Sequence, residues 1–589
     1  MVDTEIGLDP ASLDTADLSP VVPDTTARPL MRWTVAATTI GAFGLVAARA
    51  FTPVYIEGDD AVTVAYHALG RDEAFQDPYA PYHAGGDLML SLLGTDEATV
   101  RWGAMLLGLV AAAAFVVGVL QLIHDWADEG IPMLEPVLHG PHRRLLGAGL
   151  ALVLLLAAPE LLYLGLAYLP SVVGMALITW AHVVARRAID TPRPIRGLAT
   201  AALLMGLGTA TRWDLLLYGL VVAADLVFVL PRPSSPGSER RSLASWLTSP
   251  RVARTVTWGV ASLLVWLVLV LLAGHSPADL LSGLDTGTSY PRSYALVAAT
   301  WSSFFTPFLV VAVAMGVAHL PRARRTWVVA QLVYLVLAVV ALRISVPKVL
   351  VVTMPAILLT ASIGTSRIFL GRRPATRFAA ALLLLLPWIV GVQYERDDAA
   401  WGPGFELQAI DRPAGSNSTS VSAVFGGGGA IGTPEGPRPV WGHGSVLLGG
   451  GWRTLMSERA DAREAAIDHA TATGRLYVIA QGASGYALSY LSGAGFDQTA
   501  PTTVTDVLRH RTFTSDAASV VVVRVRGPEA LIGDDASVAS ALRQLNGGSS
   551  IVVVSGYPST LRELHLHNPA AVRPLGPEAA EVDLDELRG

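Results

Sequence analysis

Long apolar runs recur along this chain until about residue 393, and they constrain its fold more than any other feature. A helix needs about 20 mostly apolar residues to cross a bilayer, and we place about eleven such spans here. Their predicted bounds are 33–50, 101–122, 145–163, 166–184, 197–212, 214–230, 256–274, 294–319, 326–342, 346–363 and 377–393. The short run that ends at Arg212 is alternatively a re-entrant segment. The sequence therefore predicts a polytopic α-helical membrane protein.

The composition agrees with a membrane protein and excludes some kinds of site. Hydrophobic residues make up 52% of the 589 residues and charged residues only 15%, whereas soluble proteins contain about 25% charged residues. The chain has no cysteine, which excludes disulfides and thiolate metal or redox sites. A net charge of −6 gives no indication of nucleic-acid binding, so membrane lipid is the expected surrounding and nucleic acid is not an expected partner.

The distribution of arginine predicts how the spans are oriented. Lys348 is the one lysine among the 42 basic residues, and the rest are arginine. Five basic connections fall on one side when about eleven spans are counted, and the positive-inside rule makes that side the cytoplasm. These connections carry Arg143 and Arg144; Arg186, Arg187, Arg193 and Arg196; Arg240, Arg241, Arg251 and Arg254; Arg322, Arg324 and Arg325; and Arg367, Arg372, Arg373 and Arg377. The loop 51–100 and everything after residue 393 are then predicted to face outward.

The segments outside the apolar region differ in character. Residues 1–32 are mostly acidic and include Pro20 and Pro23, which predicts a disordered cytoplasmic tail. A signal peptide cleaved near Ala48-Arg49-Ala50 is the alternative, and the long acidic start argues against it. Residues 394–451 are predicted as a Gly/Pro-rich linker region. Residues 452–589 alternate strand-like apolar runs at 475–480, 519–525 and 550–554 with helix-like segments, which predicts an extracytoplasmic α/β domain with a parallel sheet.

The loop 51–100 is strongly acidic. Its nine acids, with Arg71 as the one basic residue, are Glu57, Asp59, Asp60, Asp72, Glu73, Asp77, Asp87, Asp96 and Glu97. Gly58-Asp59-Asp60 follows the first span directly, and carboxylates beside a bilayer usually either stay in water or serve a site. A solvated loop cap with Gly58 in a turn is the alternative interpretation.

Several segments together carry a resemblance to a known superfamily. The first span leads into Gly58-Asp59-Asp60, Pro78-Tyr79-Ala80-Pro81-Tyr82-His83 lies farther along the same loop, and Arg101 opens the next span. Near the end of the apolar region, Arg343-Ile344-Ser345-Val346-Pro347-Lys348 precedes a span that contains Pro355. Over about residues 33–393, this order resembles the GT-C membrane glycosyltransferases, in the branch of the protein O-mannosyltransferases and aminoarabinose transferases. The chain has Pro81-Tyr82-His83 where that branch often carries His-Pro-Pro.

The resemblance implies transfer of a sugar from a polyprenyl-phosphate donor to an acceptor outside the cytoplasm, with inversion at the anomeric carbon. The acceptor class stays open among glycans, lipids and proteins. A carboxylate would take the proton from the acceptor hydroxyl, which makes Asp59 and Asp60 the predicted catalytic residues. On a helix the two side chains would point about 100° apart, so one would face the site. Cations would stabilise the departing phosphate, and the candidates are Lys348, Arg343, Arg292 and Arg212.

Other candidates and alternatives complete the prediction. His83, Tyr82 and Glu57 are predicted substrate-binding residues. No cofactor is expected with certainty, although Asp59 or Asp60 would suit a divalent cation. Lys348 is alternatively an interfacial anchor of its span, and Arg212 and Asp214 alternatively pair with each other. The rival functions are a transporter, a membrane anchor for the outer domain, and a member of the superfamily that has lost its activity.

Overall fold

The computed structural model describes residues 27–51, 97–127, 142–158, 169–228, 249–276, 306–320, 353–370 and 373–397, with isolated residues between them. From residue 430 onward it describes the strands and helices named below and a few of their neighbours. The helices before residue 400 are α1 (Ala27–Ala50), α2 (Glu97–Ala127), α3 (Arg143–Ala157), α4 (Leu169–Ala188), α5 (Ile195–Thr211), α6 (Tyr218–Phe228), α7 (Pro250–Leu272), α8 (Pro307–His319), α9 (Met354–Leu370) and α10 (Pro374–Asp397). A 3₁₀ turn, Trp213–Leu217, joins α5 to α6.

These helices coincide with the predicted spans. Each predicted span contains residues in helical conformation within its described part. Among the described residues, three helical segments are long and apolar enough to cross a bilayer, namely Leu30–Arg49 in α1, Arg101–Trp126 in α2 and all of α7. Exposed apolar side chains follow one stripe of α7 at helical spacing (Val256, Val260, Leu264 and Val268), as lipid-facing residues do. A membrane location is thereby supported, and the number of crossings stays a prediction.

Arginine-bearing helix ends meet at one end of the helical part, which we call the arginine end. Arg32 of α1 and Arg187 of α4 both donate to the Gln121 amide of α2, at 2.7 and 3.0 Å. Arg251 at the start of α7 pairs with Asp190, just after α4. The predicted gathering of basic connections on one side thus holds for the helices that these contacts join. Which side of the membrane they face stays a prediction.

The opposite ends of these helices form the loop end. Phe51 follows the last residue of α1, and its ring lies 4.6 Å from the Trp102 ring near the start of α2. Arg212, directly after α5, bonds to Ser171 near the start of α4. Both stems of the acidic loop 51–100 therefore lie together at this end.

Helices α8 and α9 pack in opposite directions and very closely. The rings of Phe308 and Phe369 lie 5.9 Å apart, although one begins α8 and the other ends α9. Any Cβ on Gly316 would meet the Thr360 carbonyl group, and one on Gly364 would meet the Ala312 carbonyl oxygen. Glycine is required at both positions because it lets the two backbones touch.

This antiparallel pair differs from the predicted order of spans. The predicted order has one span, 326–342, between the spans that contain α8 and α9, so these would run in the same direction. The last residues of α8 and α9 instead lie at opposite ends of the pair. The side of the membrane that each end faces stays a prediction. Most of the intervening residues 321–352 lie outside the described part.

Strands after residue 430 form two sheets. A two-stranded antiparallel sheet, β1 (Ala430–Thr433) with β2 (Gly436–Pro439), lies within the segment predicted as a linker. The larger sheet has the order β4-β5-β6-β3-β7-β9-β8. Its strands are β3 (Tyr477–Ala480), β4 (Phe496–Asp497), β5 (Thr512–Ser515), β6 (Ala518–Val525), β7 (Ser550–Val554), β8 (Val572–Gly576) and β9 (Ala579–Asp583). The three predicted strand-like runs form the parallel strands at its centre, β6, β3 and β7, whereas the flanking strands pair antiparallel.

Helices accompany this sheet: α11 (Glu529–Ile532), α12 (Pro558–His567) and α13 (Leu584–Arg588). Burial raises the pKa of Asp583, but backbone N–H groups of Glu586 and Asp585, the Ser549 hydroxyl and the charge of Arg543 lower it more. The net result is a pKa below the ordinary 3.8, so the carboxylate that caps α13 is ionised near neutral pH.

Candidate functional site

One of the predicted site residues, Arg212, falls among the described residues. The others are Asp59, Asp60, Glu57, Tyr82, His83, Arg292, Arg343 and Lys348, and they lie outside the described part of the chain. The catalytic, phosphate-binding and metal-binding roles assigned to them stay predictions.

Arg212 is a buried cation with a carboxylate partner. It occupies the extended joint between α5 and the 3₁₀ turn, where its side chain is 5% exposed. Its Nη2 and Nε atoms donate to the two carboxylate oxygens of Asp214, at 2.6 and 3.1 Å, and Nη1 donates to the Ser171 hydroxyl at 3.2 Å. The structure therefore contains the alternative arrangement, in which Arg212 and Asp214 form an ion pair with each other. A phosphate would have to share this guanidinium with Asp214.

A second arginine at the loop end, Arg101, directly follows the acidic loop in the sequence. Arg101, in the first turns of α2, is 6% exposed, and its guanidinium carbon lies 5.3 Å from the centre of the Phe51 ring. This is a cation–π distance, and it adds to the contact between Phe51 and Trp102. The helix ends on either side of loop 51–100 are thus held together by contacts of the Phe51 ring with the Trp102 ring and the Arg101 guanidinium.

A polar cluster lies inside the helical core between α4 and α6. His182 bonds through Nε2 to Asp225 at 2.9 Å and through Nδ1 to the Tyr218 hydroxyl at 3.0 Å. Arg186 donates to the same Asp225 oxygen at 2.7 Å. The side chains of His182 and Asp225 are completely buried. This buried acid is therefore compensated by a cation and a hydrogen-bonded imidazole.

The geometry assigns a direction to each of these hydrogen bonds. With Arg186 as its counterion, Asp225 is an acceptor, so His182 donates its Nε2–H. Nδ1 of His182 then accepts the proton of the Tyr218 hydroxyl. The cluster can hold two helices together, and the chain of groups from hydroxyl to carboxylate is also one along which a proton can be exchanged.

The sequence leaves most of this cluster unpredicted, although it carries a spacing signal. His182 and Arg186 are four residues apart and so share one helix face, as do Tyr218 and Asp225, which are seven apart. When two apolar spans that each carry a polar pair at helical spacing lie side by side, their polar faces are expected to contact each other. The sequence pattern does not reveal which spans lie side by side.

Within the described ranges, no three His, Cys, Asp or Glu side chains come together as ligands for a metal ion. The acidic pair that would suit a divalent cation is not among those residues.

Comparison with known proteins gives a distant likeness to a solved structure. No protein-family model matches this chain, and no curated protein matches it. Among solved structures, the chain is similar to the crystal structure of ArnT from Cupriavidus metallidurans bound to undecaprenyl phosphate. The two share 13% sequence identity with a TM-score of 0.45, over 96% of this chain and 99% of that chain. Likeness at this level establishes neither the fold nor the activity of this chain.

Proposed function

We propose that this protein is a GT-C-like membrane glycosyltransferase that moves a sugar from a polyprenyl-phosphate donor to an extracytoplasmic acceptor. The observation that carries the proposal is the position of Gly58-Asp59-Asp60. It opens an acidic loop whose two stems meet through Phe51, Arg101 and Trp102. An acidic pair that follows closely after an apolar helix in the sequence is suited to act on a substrate whose carrier lies in the bilayer.

The proposed reaction is one displacement at the anomeric carbon. A carboxylate, Asp59 or Asp60, takes the proton of the acceptor hydroxyl while its oxygen bonds to that carbon. The bond from carbon to the phosphate oxygen breaks, and polyprenyl phosphate leaves with the electron pair. Attack from the opposite face inverts the configuration. Glu57, Tyr82 and His83 would bind the sugar or the acceptor.

Basic groups would stabilise the departing phosphate, and the proposal assigns this role to Arg292, Arg343 and Lys348. Arg212 enters the proposal with Asp214 attached, so its contribution to phosphate binding would be smaller. A divalent cation at Asp59 or Asp60 would supply the same kind of charge stabilisation.

Sugar release from a panel of polyprenyl-phosphate sugars tests this function. Membranes that contain the wild type, Asp59→Asn, Asp60→Asn or the control Asp72→Asn would be compared. Loss of the general base lowers the rate about 10²–10⁴-fold, so at least one of the first two variants should show such a loss. Asp72→Asn changes the charge of the same loop equally and should keep its activity.

Two outcomes would count against the proposal. Full activity in both Asp59→Asn and Asp60→Asn would remove the catalytic assignment. A wild type that releases sugar from none of the donors would instead favour the transporter or the membrane anchor.

A further inference from the structure

The start of α1 lies beside two other helices at the arginine end. Arg32 of α1 and Arg187 of α4 bond to the same Gln121 amide. Met31 lies against Gly147 of α3, where an added Cβ would be 3.2 Å from the Met31 Cε atom. The chain that precedes α1 therefore joins the structure next to the end of α4 and the start of α3.

The turn that follows α4 exposes two arginines without a counterion. Arg193 and Arg196 are exposed, and within the described ranges neither guanidinium group takes part in a hydrogen bond or an ion pair. Ile195 stands between them in the sequence and is 80% exposed. Two free cations and a bare apolar side chain are thus presented together.

Helix α7 holds this turn in a fixed position. Arg251 bonds to both carboxylate oxygens of Asp190, and Arg254 donates to the Ile189 carbonyl oxygen at 2.6 Å. A proline on each side of Arg193 further restricts the backbone. A ligand of this turn would therefore meet a surface that is already ordered, which lowers the entropy cost of binding.

The start of α3 presents a similar combination. Arg144 is exposed and has no bonded partner in the part of the chain that the structure describes. Leu145, the next residue, is 74% exposed. We call these residues the basic rim, namely Arg144, Leu145, Arg193, Ile195 and Arg196. Cations next to exposed apolar side chains match a ligand that carries carboxylates next to apolar groups.

The segment that precedes α1 has this composition. Residues 1–26 contain no lysine or arginine, and their acids are Asp3, Glu5, Asp9, Asp14, Asp17 and Asp24. Three of these acids adjoin a leucine, in Leu8-Asp9, Leu13-Asp14 and Asp17-Leu18. Because the segment is attached to α1, its effective concentration at the rim is about millimolar. Several weak surface ion pairs that act together then suffice for binding.

We propose that residues 1–26 of this chain bind the basic rim. Their carboxylates accept hydrogen bonds from Arg144, Arg193 and Arg196, and their leucines cover Ile195 and Leu145. The bound segment then shields the arginine end from other anions. This interaction does not depend on sugar transfer, and its test contains no sugar donor, so the two proposals fail separately.

The distance between spin labels at Ser12→Cys and Ala199→Cys measures this interaction by double electron–electron resonance. The full-length chain is free of cysteine, so these two positions alone carry labels. In an uncharged detergent the wild-type background should give one narrow population of distances, whereas an unbound segment would spread over roughly 20 Å. About 1 M salt, where the Debye length is about 3 Å, should also broaden it.

A charge swap provides the matched control. Arg193→Glu/Arg196→Glu and Asp14→Arg/Asp17→Arg should each lose the narrow population, because like charges then face each other. Their combination restores opposite charges and should restore the narrow population. Arg573→Glu reverses an arginine of strand β8 that is 76% exposed, and it should leave the distances unchanged.

Three results would overturn the proposal. The first is a broad distribution in the wild-type background. The second is a loss in Arg573→Glu as large as that in Arg193→Glu/Arg196→Glu, or a combined variant that stays broad. The third is loss of the narrow population when phosphatidylcholine nanodiscs are replaced by phosphatidylglycerol nanodiscs, because the rim would then belong to the membrane surface and not to residues 1–26.

Discussion

Asp225 is an acid inside an apolar helix, and its neighbours explain how it is tolerated there. It accepts from Arg186 and from His182, and its side chain has no exposure. A buried ion pair gains little net stability over an apolar pair, because desolvation offsets the attraction. Removing one member is different, since it leaves the other charge buried alone.

At this scale we predict that Asp225→Ala destabilises the protein by about 3–5 kcal/mol, because Arg186 and the buried His182 lose the carboxylate to which both donate. The double variant Arg186→Met/Asp225→Leu should lose much less. Unfolding in SDS, followed by loss of helical circular dichroism, measures both. Arg251→Ala is the control, since the more exposed pair with Asp190 is worth at most about 1 kcal/mol. Equal losses in the single and the double variant would contradict the prediction.

Arg212 illustrates how far single residues can be assigned from sequence. Two opposite charges two residues apart, in a turn between apolar runs, predict an ion pair, and Arg212 bonds to Asp214. The third partner, Ser171, is far away in sequence and belongs to another helix, so no local pattern indicates it. Because Nε and Nη2 of Arg212 donate to Asp214, fewer of its hydrogen-bond donors are available to a phosphate. In the sequence, Arg212 is one of four candidate cations.

At the scale of elements, the closest packing occurs between α8 and α9. Their contact is built on Gly316 and Gly364, and each lies against a carbonyl group of the other helix. Carbonyl groups cannot rotate away as side chains do, so even one methyl group pushes the two helices apart. The pair behaves as one rigid unit as long as both glycines are present.

We predict that Gly364→Ala lowers stability by about 1–3 kcal/mol, because its Cβ would overlap the Ala312 carbonyl oxygen. Gly259→Ala on α7 is the matched control, since no atom lies within 4 Å of an added Cβ there. The control should be neutral or slightly stabilising, because alanine favours the helix by about 1 kcal/mol over glycine. Thermal unfolding of the two variants side by side measures the difference. If they unfold at the same temperature, the backbone contact is not as close as described.

The sheet shows which elements a pattern can find. Val520, Val522 and their neighbours in β6 form a continuous apolar run, as buried parallel strands do, and the same is true of β7. The short β4 and β5 contain Asp497, Thr512 and Thr514, and they carry no such signal. Their antiparallel pairing depends on contacts along the edge of the sheet, which composition does not record.

At the scale of the whole molecule, apolar runs predict where helices form better than they predict the direction of each helix. The described helices coincide with the predicted spans because length and hydrophobicity determine them locally. The direction of a helix depends on every crossing before it. One run that does not cross, for example 326–342, would invert all the assignments that follow it. The antiparallel packing of α8 and α9 differs from the directions that the count of eleven spans gives.

Cysteine labelling from the two sides of the membrane tests this difference, and the cysteine-free chain needs no background substitutions. Ala323→Cys follows α8 and Ala375→Cys follows α9. We predict that an impermeant maleimide labels them from opposite sides, because the ends of the two helices point in opposite directions. Ala80→Cys, in the acidic loop, reports the predicted outer side. Labelling of residues 323 and 375 from the same side would restore the topology counted from the sequence.

The order of strands has a consequence for synthesis. The central strand β3 leaves the ribosome first, but Tyr477 pairs with Val522 on one side and with Val552 on the other. Strand β7 in turn pairs with β9, which is translated later and ends at Asp583. The sheet therefore cannot close until nearly the whole chain has been translated. A chain that stops before residue 579 leaves β7, with its three consecutive valines, as an unpaired edge at which another chain can add a strand.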